Sequence, residues 1–351
     1  MTAIQAFPPV AAPIAPAKAR LGWVDVAKGI GIVLVVYGHA VDGLRSAGLV
    51  PGDGWASFSF YAIYTFHMPL FFLLSGLFVP GRLQRDRARF VRRQFPSIFY
   101  PYFLWSIVQV TILYLAAAYV NVPRTHLGYA EILWSPPSQF WFLYVLFLCH
   151  LAAAALVWKG SGALLTAIGI AAALFYYSTY PHATVMRCFT EFLIFYAVGV
   201  LYGGRIAQVE AAAARYWRWS VAAVLLALPA IWFGFSHGFP YGAAWVLPVT
   251  AAGIAGTLAL SVALSGRPAA MLRYLGQRAM AIYVLHVLFV AGTRIVLAKL
   301  LGFDQGALLL PALLTAGICG PVLACEVAER LRLTAWLGLG SPPRRAKAAY
   351  G

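Results

Sequence analysis

The sequence predicts an all-α fold: a polytopic membrane helix bundle of about ten transmembrane helices, with both termini in the cytoplasm. Three observations predict it. The chain is 62% hydrophobic and only 10% charged, whereas soluble domains hold roughly 45–50% apolar and about 25% charged residues. Its apolar residues gather in runs of about 18 to 25, the length a helix needs to cross roughly 30 Å of hydrocarbon. Its basic residues concentrate in alternate connections between those runs, as cytoplasmic loops do.

Residues 1–19 are rich in Ala and Pro, with Pro8, Pro9, Pro13 and Pro16. No basic cluster precedes an uninterrupted apolar core, so the segment is expected to be a disordered cytoplasmic tail and not a cleaved signal. A membrane domain is expected over 20–335 and a second cytoplasmic tail over 336–351. Within the domain the spans are expected at 22–43, 57–80, 95–120, 138–158, 161–180, 189–207, 219–236, 242–264, 279–300 and 306–329. Trp55, Tyr100, Tyr102, Trp105, Trp134 and Trp217 stand near the ends of these runs, where amphipathic rings anchor at the headgroups.

Between the second and third spans lies GRLQRDRARFVRR, with six arginines from Arg82 to Arg93. This loop is expected in the cytoplasm, which places the N-terminus there too. With ten crossings, 21 of the 26 lysines and arginines fall on that side; Arg45, Arg124, Arg187, Arg294 and Lys299 fall on the other. A net charge of +16 is thereby explained by membrane orientation, and nucleic acid is not an expected partner. Cys149, Cys188, Cys319 and Cys325 form no CxxC pair, so neither a metal site nor a disulfide framework is indicated. Walker and GxGxxG patterns are absent, which excludes an ATPase or dinucleotide-binding enzyme of those kinds.

Ionisable residues inside a hydrophobic span are costly and point to function. The first span, WVDVAKGIGIVLVVYGH, carries Asp25, Lys28 and His39. Lys28 and His39 are eleven residues apart, about three turns, so they share a face and lie roughly 16 Å apart along the axis. Asp25 is three residues before Lys28, within pairing distance on a helix. Equally open at this point is a bland reading, with Lys28 snorkelling to the headgroups and His39 a packing residue. In the second span, Pro69 removes a backbone donor and frees a carbonyl near His67. The arginine loop holds two RxxR spacings, Arg82 with Arg85 and Arg89 with Arg92, followed by Arg93. Guanidinium groups clamp phosphates, although such a loop also serves topology and contact with anionic membrane lipid. Arg187 with Glu191, His286, and Glu326 near Glu329 and Arg330 are the other intramembrane polar residues; His126, His150, His182 and His237 carry no particular signal.

Read together, these blocks resemble the integral-membrane acyltransferase family 3, whose members include bacterial polysaccharide O-acetyltransferases and fucose O-acetylase-like proteins. WVDVAKGIGIVLVVYGHA is similar to the family's first helix, with its basic residue, ten positions and then histidine. FHMPLFFLLSGLF resembles the second helix, RFVRRQFPSIFYPYFLW the basic loop entering a Pro-Tyr motif, and FWFLYVLFL and YLGQRAMAIYVLHVLF later blocks. The resemblance covers nearly the whole chain. It implies transfer of an acyl group, usually acetyl from acetyl-CoA, to a hydroxyl of a glycan or lipid-linked sugar, in what is expected to be a bacterial inner membrane. It implies roles for Lys28 and His39, and for Arg89 and Arg92, although Arg82 and Arg85 satisfy the same spacing. Large members carry an additional hydrolase-like domain; none is read in this sequence, so help with the acceptor is expected to be absent or to come from a partner.

An imidazole suits the removal of a hydroxyl proton near neutral pH. His39 is therefore expected to be the general base, with an acyl-histidine carrier as the variant mechanism, and His67 its orienting or proton-accepting partner. Lys28, Arg89, Arg92 and Arg93 are expected to hold the phosphates of acyl-CoA. A glycan or lipid transporter and a non-catalytic scaffold are the competing classes: the first moves substrate without consuming acyl-CoA, the second tolerates substitution of Lys28 and His39.

Overall fold

A computed structural model describes residues 21–121, 126, 128–157, 162–179 and 183–340. The expected tail 1–19 and all but the start of the tail expected over 336–351 lie outside them. Among the described residues there are helices and turns and no strands. Nine helical stretches among the described residues are long and apolar enough to cross a membrane.

The first, α1 (Gly22–Ser46), begins where Leu21 is extended and stops before Gly48, whose φ of +71° suits a residue without a side chain. Asp25 in its first turn and Arg45 in its last oppose the helix dipole. The second expected span is three helices, α2 (Trp55–Tyr64), α3 (His67–Gly76) and α4 (Val79–Leu83). Pro69 explains the first break. It has no N–H for the Thr65 carbonyl one turn earlier, and that carbonyl instead accepts from the Thr250 hydroxyl at 2.7 Å.

The arginine loop is not a loop. Most of it is α5 (Arg87–Gln94), capped by Asp86, whose carboxylate accepts from the Arg89 N–H at 2.8 Å. A π turn, Phe95–Phe99, leads without a break into α6 (Tyr100–Leu115), whose Pro101 has no N–H to bond back into that turn. After short 3-10 turns come α7 (Trp141–Leu156), α8 (Ala163–Thr179), α9 (Thr184–Tyr202), α10 (Ile206–Arg215), α11 (Trp217–Ser236), α12 (Leu247–Ala263), α13 (Gly266–Gln277), α14 (Ala279–Arg294) and α15 (Gly306–Arg330). The fifth expected span, 161–180, is α8; its 17 residues rise about 26 Å, short of a full hydrocarbon core.

Around α1 are packed α2, α3, α12, α13, α14 and α15, so the element with the costly residues is the central one. Its N-terminal half touches α13 backbone to backbone. A Cβ added to Gly29 would lie 2.0 Å from the Leu272 carbonyl oxygen, and one added to Gly276 would lie 1.8 Å from that of Asp25. Small residues at such crossings let helices gain close packing that lipid cannot offer.

One expectation about a single residue changes. Tyr102, expected at the headgroups, is buried, and its hydroxyl donates to the Ile132 carbonyl; Trp55 and Trp134 are exposed as expected. The carboxylates of Glu326 and Glu329 meet Arg278, at 3.9 and 3.8 Å, and the Tyr274 hydroxyl donates to Glu326. The domain limit at 335 falls inside a packed segment. The carbonyls of Trp336 and Leu337 accept from Tyr100 and from Trp105 Nε1, and Leu339 is buried.

Candidate functional site

Asp25 is buried and accepts a hydrogen bond from Gln277 Nε2 at 3.3 Å. Lys28, a turn further along α1, holds its ammonium 5.7 Å from the Phe78 ring centre, and the Arg82 guanidinium lies 6.0 Å from the same ring. Phe78, between α3 and α4, thus brings the helix lysine and the first arginine of the cluster to one aromatic side chain.

Beyond Phe78 the arginines surround a pocket of about 940 Å³. Arg82, Arg85, Arg89 and Arg93 line one wall, and the segment from Thr334 to Gly340 lines the other. Arg89 and Arg93 are four residues apart on α5 and therefore share a face; Arg92 and Lys28 are not on the pocket wall. Arg87 turns away from the pocket, and its guanidinium donates to the carbonyls of Ala154 and Val157, closing the end of α7. His150, which carries no signal in the sequence, is buried in α7, its ring 5.5 Å from Phe90 and 5.4 Å from Tyr196.

His39 faces a second cavity, of about 410 Å³, at the other end of α1. Asp42, Gln109, Asn121, Ser138 and Arg294 also line it. Ser97, in the π turn before α6, lines the arginine pocket and Gln109, on α6, this cavity; a rise of about 1.5 Å per residue along this continuous helical stretch separates them by roughly 18 Å.

The imidazole in contact with His39 is that of His286 on α14, with ring centres 5.0 Å apart. His286 is completely buried. Its Nδ1 lies 3.0 Å and 2.8 Å from the carbonyl oxygens of Ile282 and Tyr283. A carbonyl only accepts, so Nδ1 carries the proton and Nε2 presents a lone pair. That Nε2 is buried without a hydrogen-bond partner among the described residues. His67, expected to be the partner, is buried with its Nδ1 donating to the Ile63 carbonyl at 2.9 Å. It packs edge-on against Tyr64 and interacts electrostatically with His39. Thus two imidazoles with backbone-held tautomers flank a third that faces the cavity.

Further bonds hold the floor of the cavity. The Tyr283 hydroxyl donates to the Gln139 carbonyl. The side-chain amides of Gln139 and Gln109 exchange hydrogen bonds at 3.4 and 3.3 Å. Each amide thereby satisfies the other inside the bundle, where a lone polar group is costly.

Sequence reasoning assigned no role to Asp42, Gln109 or Arg294, and noted His286 without placing it beside His39. The rule that an ionisable residue within a span is functional would have flagged Asp42 and Arg294. Only the fold shows which of them share a cavity.

A family model described as an acyltransferase domain matches residues 21–327. The nodulation protein NolL of Sinorhizobium fredii is 30% identical over 122 residues, which are 34% of this chain and 32% of that protein. NolL of Mesorhizobium japonicum is 34% identical over 94 residues, 25% of each chain. The chain therefore spans about a third and a quarter, respectively, of the curated relatives it matches. No solved structure matches it.

Proposed function

Because the chain belongs to acyltransferase family 3, a family of integral-membrane acyltransferases, we propose that it moves an acetyl group from acetyl-CoA to a hydroxyl of a glycan or lipid-linked sugar, with His39 as the general base. The observation that carries this reading is the contact of the His39 ring with that of His286, whose Nε2 lone pair is buried and unpartnered among the described residues, beside a cavity.

One imidazole nitrogen of His39 takes the acceptor's hydroxyl proton as the oxygen attacks the thioester carbonyl. The tetrahedral adduct collapses, the carbon–sulfur bond breaks, and the imidazolium returns the proton to the departing CoA thiolate. The free Nε2 of His286 is the acceptor for the other N–H of His39 once that ring turns toward it in the reacting complex, which orients the ring and steadies its charged form, while His67 adds a second polar wall. Asp42, three residues along α1, places its carboxylate on the wall of the same cavity.

Donor phosphates suit the arginine pocket, where Arg82, Arg85, Arg89 and Arg93 supply forked donors. Lys28 stands between that pocket and His39, and the extended pantetheine arm covers the roughly 16 Å along α1. The positive-inside rule puts the arginine pocket at the cytoplasmic face, with the chain in a bacterial inner membrane and the acceptor cavity on the other half.

The test is incubation of the purified chain with labelled acetyl-CoA and a panel of glycans. His39→Ala is expected to insert and fold yet yield no acetylated glycan; full acetylation by that variant overturns the base assignment. Label retained on the wild-type protein without acceptor selects the acyl-histidine route over direct transfer.

A further inference from the structure

Arg294 is the last residue of α14, is 3% exposed, and lines the same cavity as His39. Its Nη1 is buried with no hydrogen-bond partner, and no ion pair engages it, among the described residues. Of the other charged groups of this region, Asp42 lines the same cavity and makes no ion pair with Arg294 among the described residues, and Arg45 lies over the Phe60 ring, 5.0 Å from its centre. A Cβ added to Gly43 would lie 3.9 Å from Arg294 Cδ, so the arginine side chain runs beside α1 one turn beyond His39.

A guanidinium removed from water without a counter-charge is unfavourable, and in proteins such groups pair with an anion. The planar fork of arginine fits carboxylate and phosphate oxygens in bidentate fashion. We infer that Arg294 is the recognition site for an anionic group, a carboxylate or a phosphate, carried by the acceptor whose hydroxyl reaches His39. The inference rests on the proposed acceptor role of this cavity and adds to it a charge class. A cavity of about 410 Å³ is of the size that holds small-molecule ligands. Gln109, Asn121 and Ser138 offer uncharged donors and acceptors for the rest of a sugar. The acceptors selected are acidic sugars or sugar phosphates, and a neutral sugar leaves the arginine uncompensated.

The experiment measures the melting temperature of the purified full chain with methyl glucuronide, glucose 1-phosphate or methyl glucoside at equal concentration and ionic strength. It is run in an Arg89→Gln/Arg93→Gln background so that the arginine pocket does not contribute. One charged probe is expected to raise Tm by about 2 °C at ten times its Kd, and the neutral glucoside is expected to leave it unchanged. The responding arm identifies carboxylate or phosphate as the source. Arg294→Met, an apolar replacement of similar length, is expected to fold and to lose the shift, and Arg294→Lys to keep part of it. Equal shifts with all three probes, no shift with any, or a shift that survives in Arg294→Met overturns the inference. The base assignment is separate: if His39→Ala still acetylates while the shift depends on Arg294, that reading fails and the anion site stands.

Discussion

Four arginines line the proposed donor pocket and Arg92 does not, which separates residues that the RxxR spacing treats alike. Each of Arg89→Gln and Arg93→Gln removes one charge-assisted contact to a CoA phosphate. Such contacts contribute about 1.5–3 kcal/mol; both side chains are exposed, so the lower figure applies. At about 1.4 kcal/mol per decade, each substitution raises KM for acetyl-CoA roughly tenfold. Because the two residues lie one turn apart and share a ligand, the double variant falls short of the product of the two effects. Arg92→Gln removes charge but no pocket contact, and screening over about 8 Å at physiological salt holds its effect to about twofold. The assay is steady-state acetyl transfer by purified variants, with acetyl-CoA and with the analogue lacking the 3′-phosphate. The variant that has lost the contact to that phosphate is indifferent to its removal. An Arg92→Gln penalty equal to those of Arg89→Gln and Arg93→Gln, or unchanged KM in the latter two, refutes the assignment of the pocket.

Two further substitutions test the histidine pair and the helix crossing. His286→Phe is expected to lower kcat about 10- to 100-fold with KM for acetyl-CoA unchanged, since His286 orients the base and does not hold the donor. His286→Gln, whose carbonyl still accepts a hydrogen bond, recovers part of the loss, and wild-type turnover by His286→Phe removes the positioning role. Gly276→Ala puts a methyl 1.8 Å from the Asp25 carbonyl oxygen, so α1 and α13 must separate by about 1.5 Å at a cost of about 1–3 kcal/mol. Tryptophan fluorescence is expected to show earlier thermal unfolding than for Gly52→Ala, whose added methyl meets open space; equal unfolding temperatures count against the crossing.

The sequence by itself determined the architecture and the element that matters. Apolar runs of membrane length and the arginine cluster defined an all-α bundle, because crossing hydrocarbon leaves the backbone few alternatives to a helix. The cost of charge in lipid drew attention to α1, and helical periodicity placed Lys28 and His39 on one face. Pro69 predicted a freed carbonyl; the fold added that Thr250, 185 residues away, satisfies it. The partner of His39 was decided by tertiary structure alone. His67 and His286 are both imidazoles on apolar spans, and only the packing of α14 against α1 brings the His286 ring into contact. The helical state of the arginine cluster was legible in Asp86, a capping residue, but was hidden behind the density of charge. Which arginines form a pocket depended on their angle around α5 and on the segment after α15 that closes the far wall. Spacing along one helix is a local property, whereas a cavity is made by side chains from several helices. The Lys28–His39 spacing was therefore readable in advance, and the chamber shared by His39, Asp42, Gln109 and Arg294 was not.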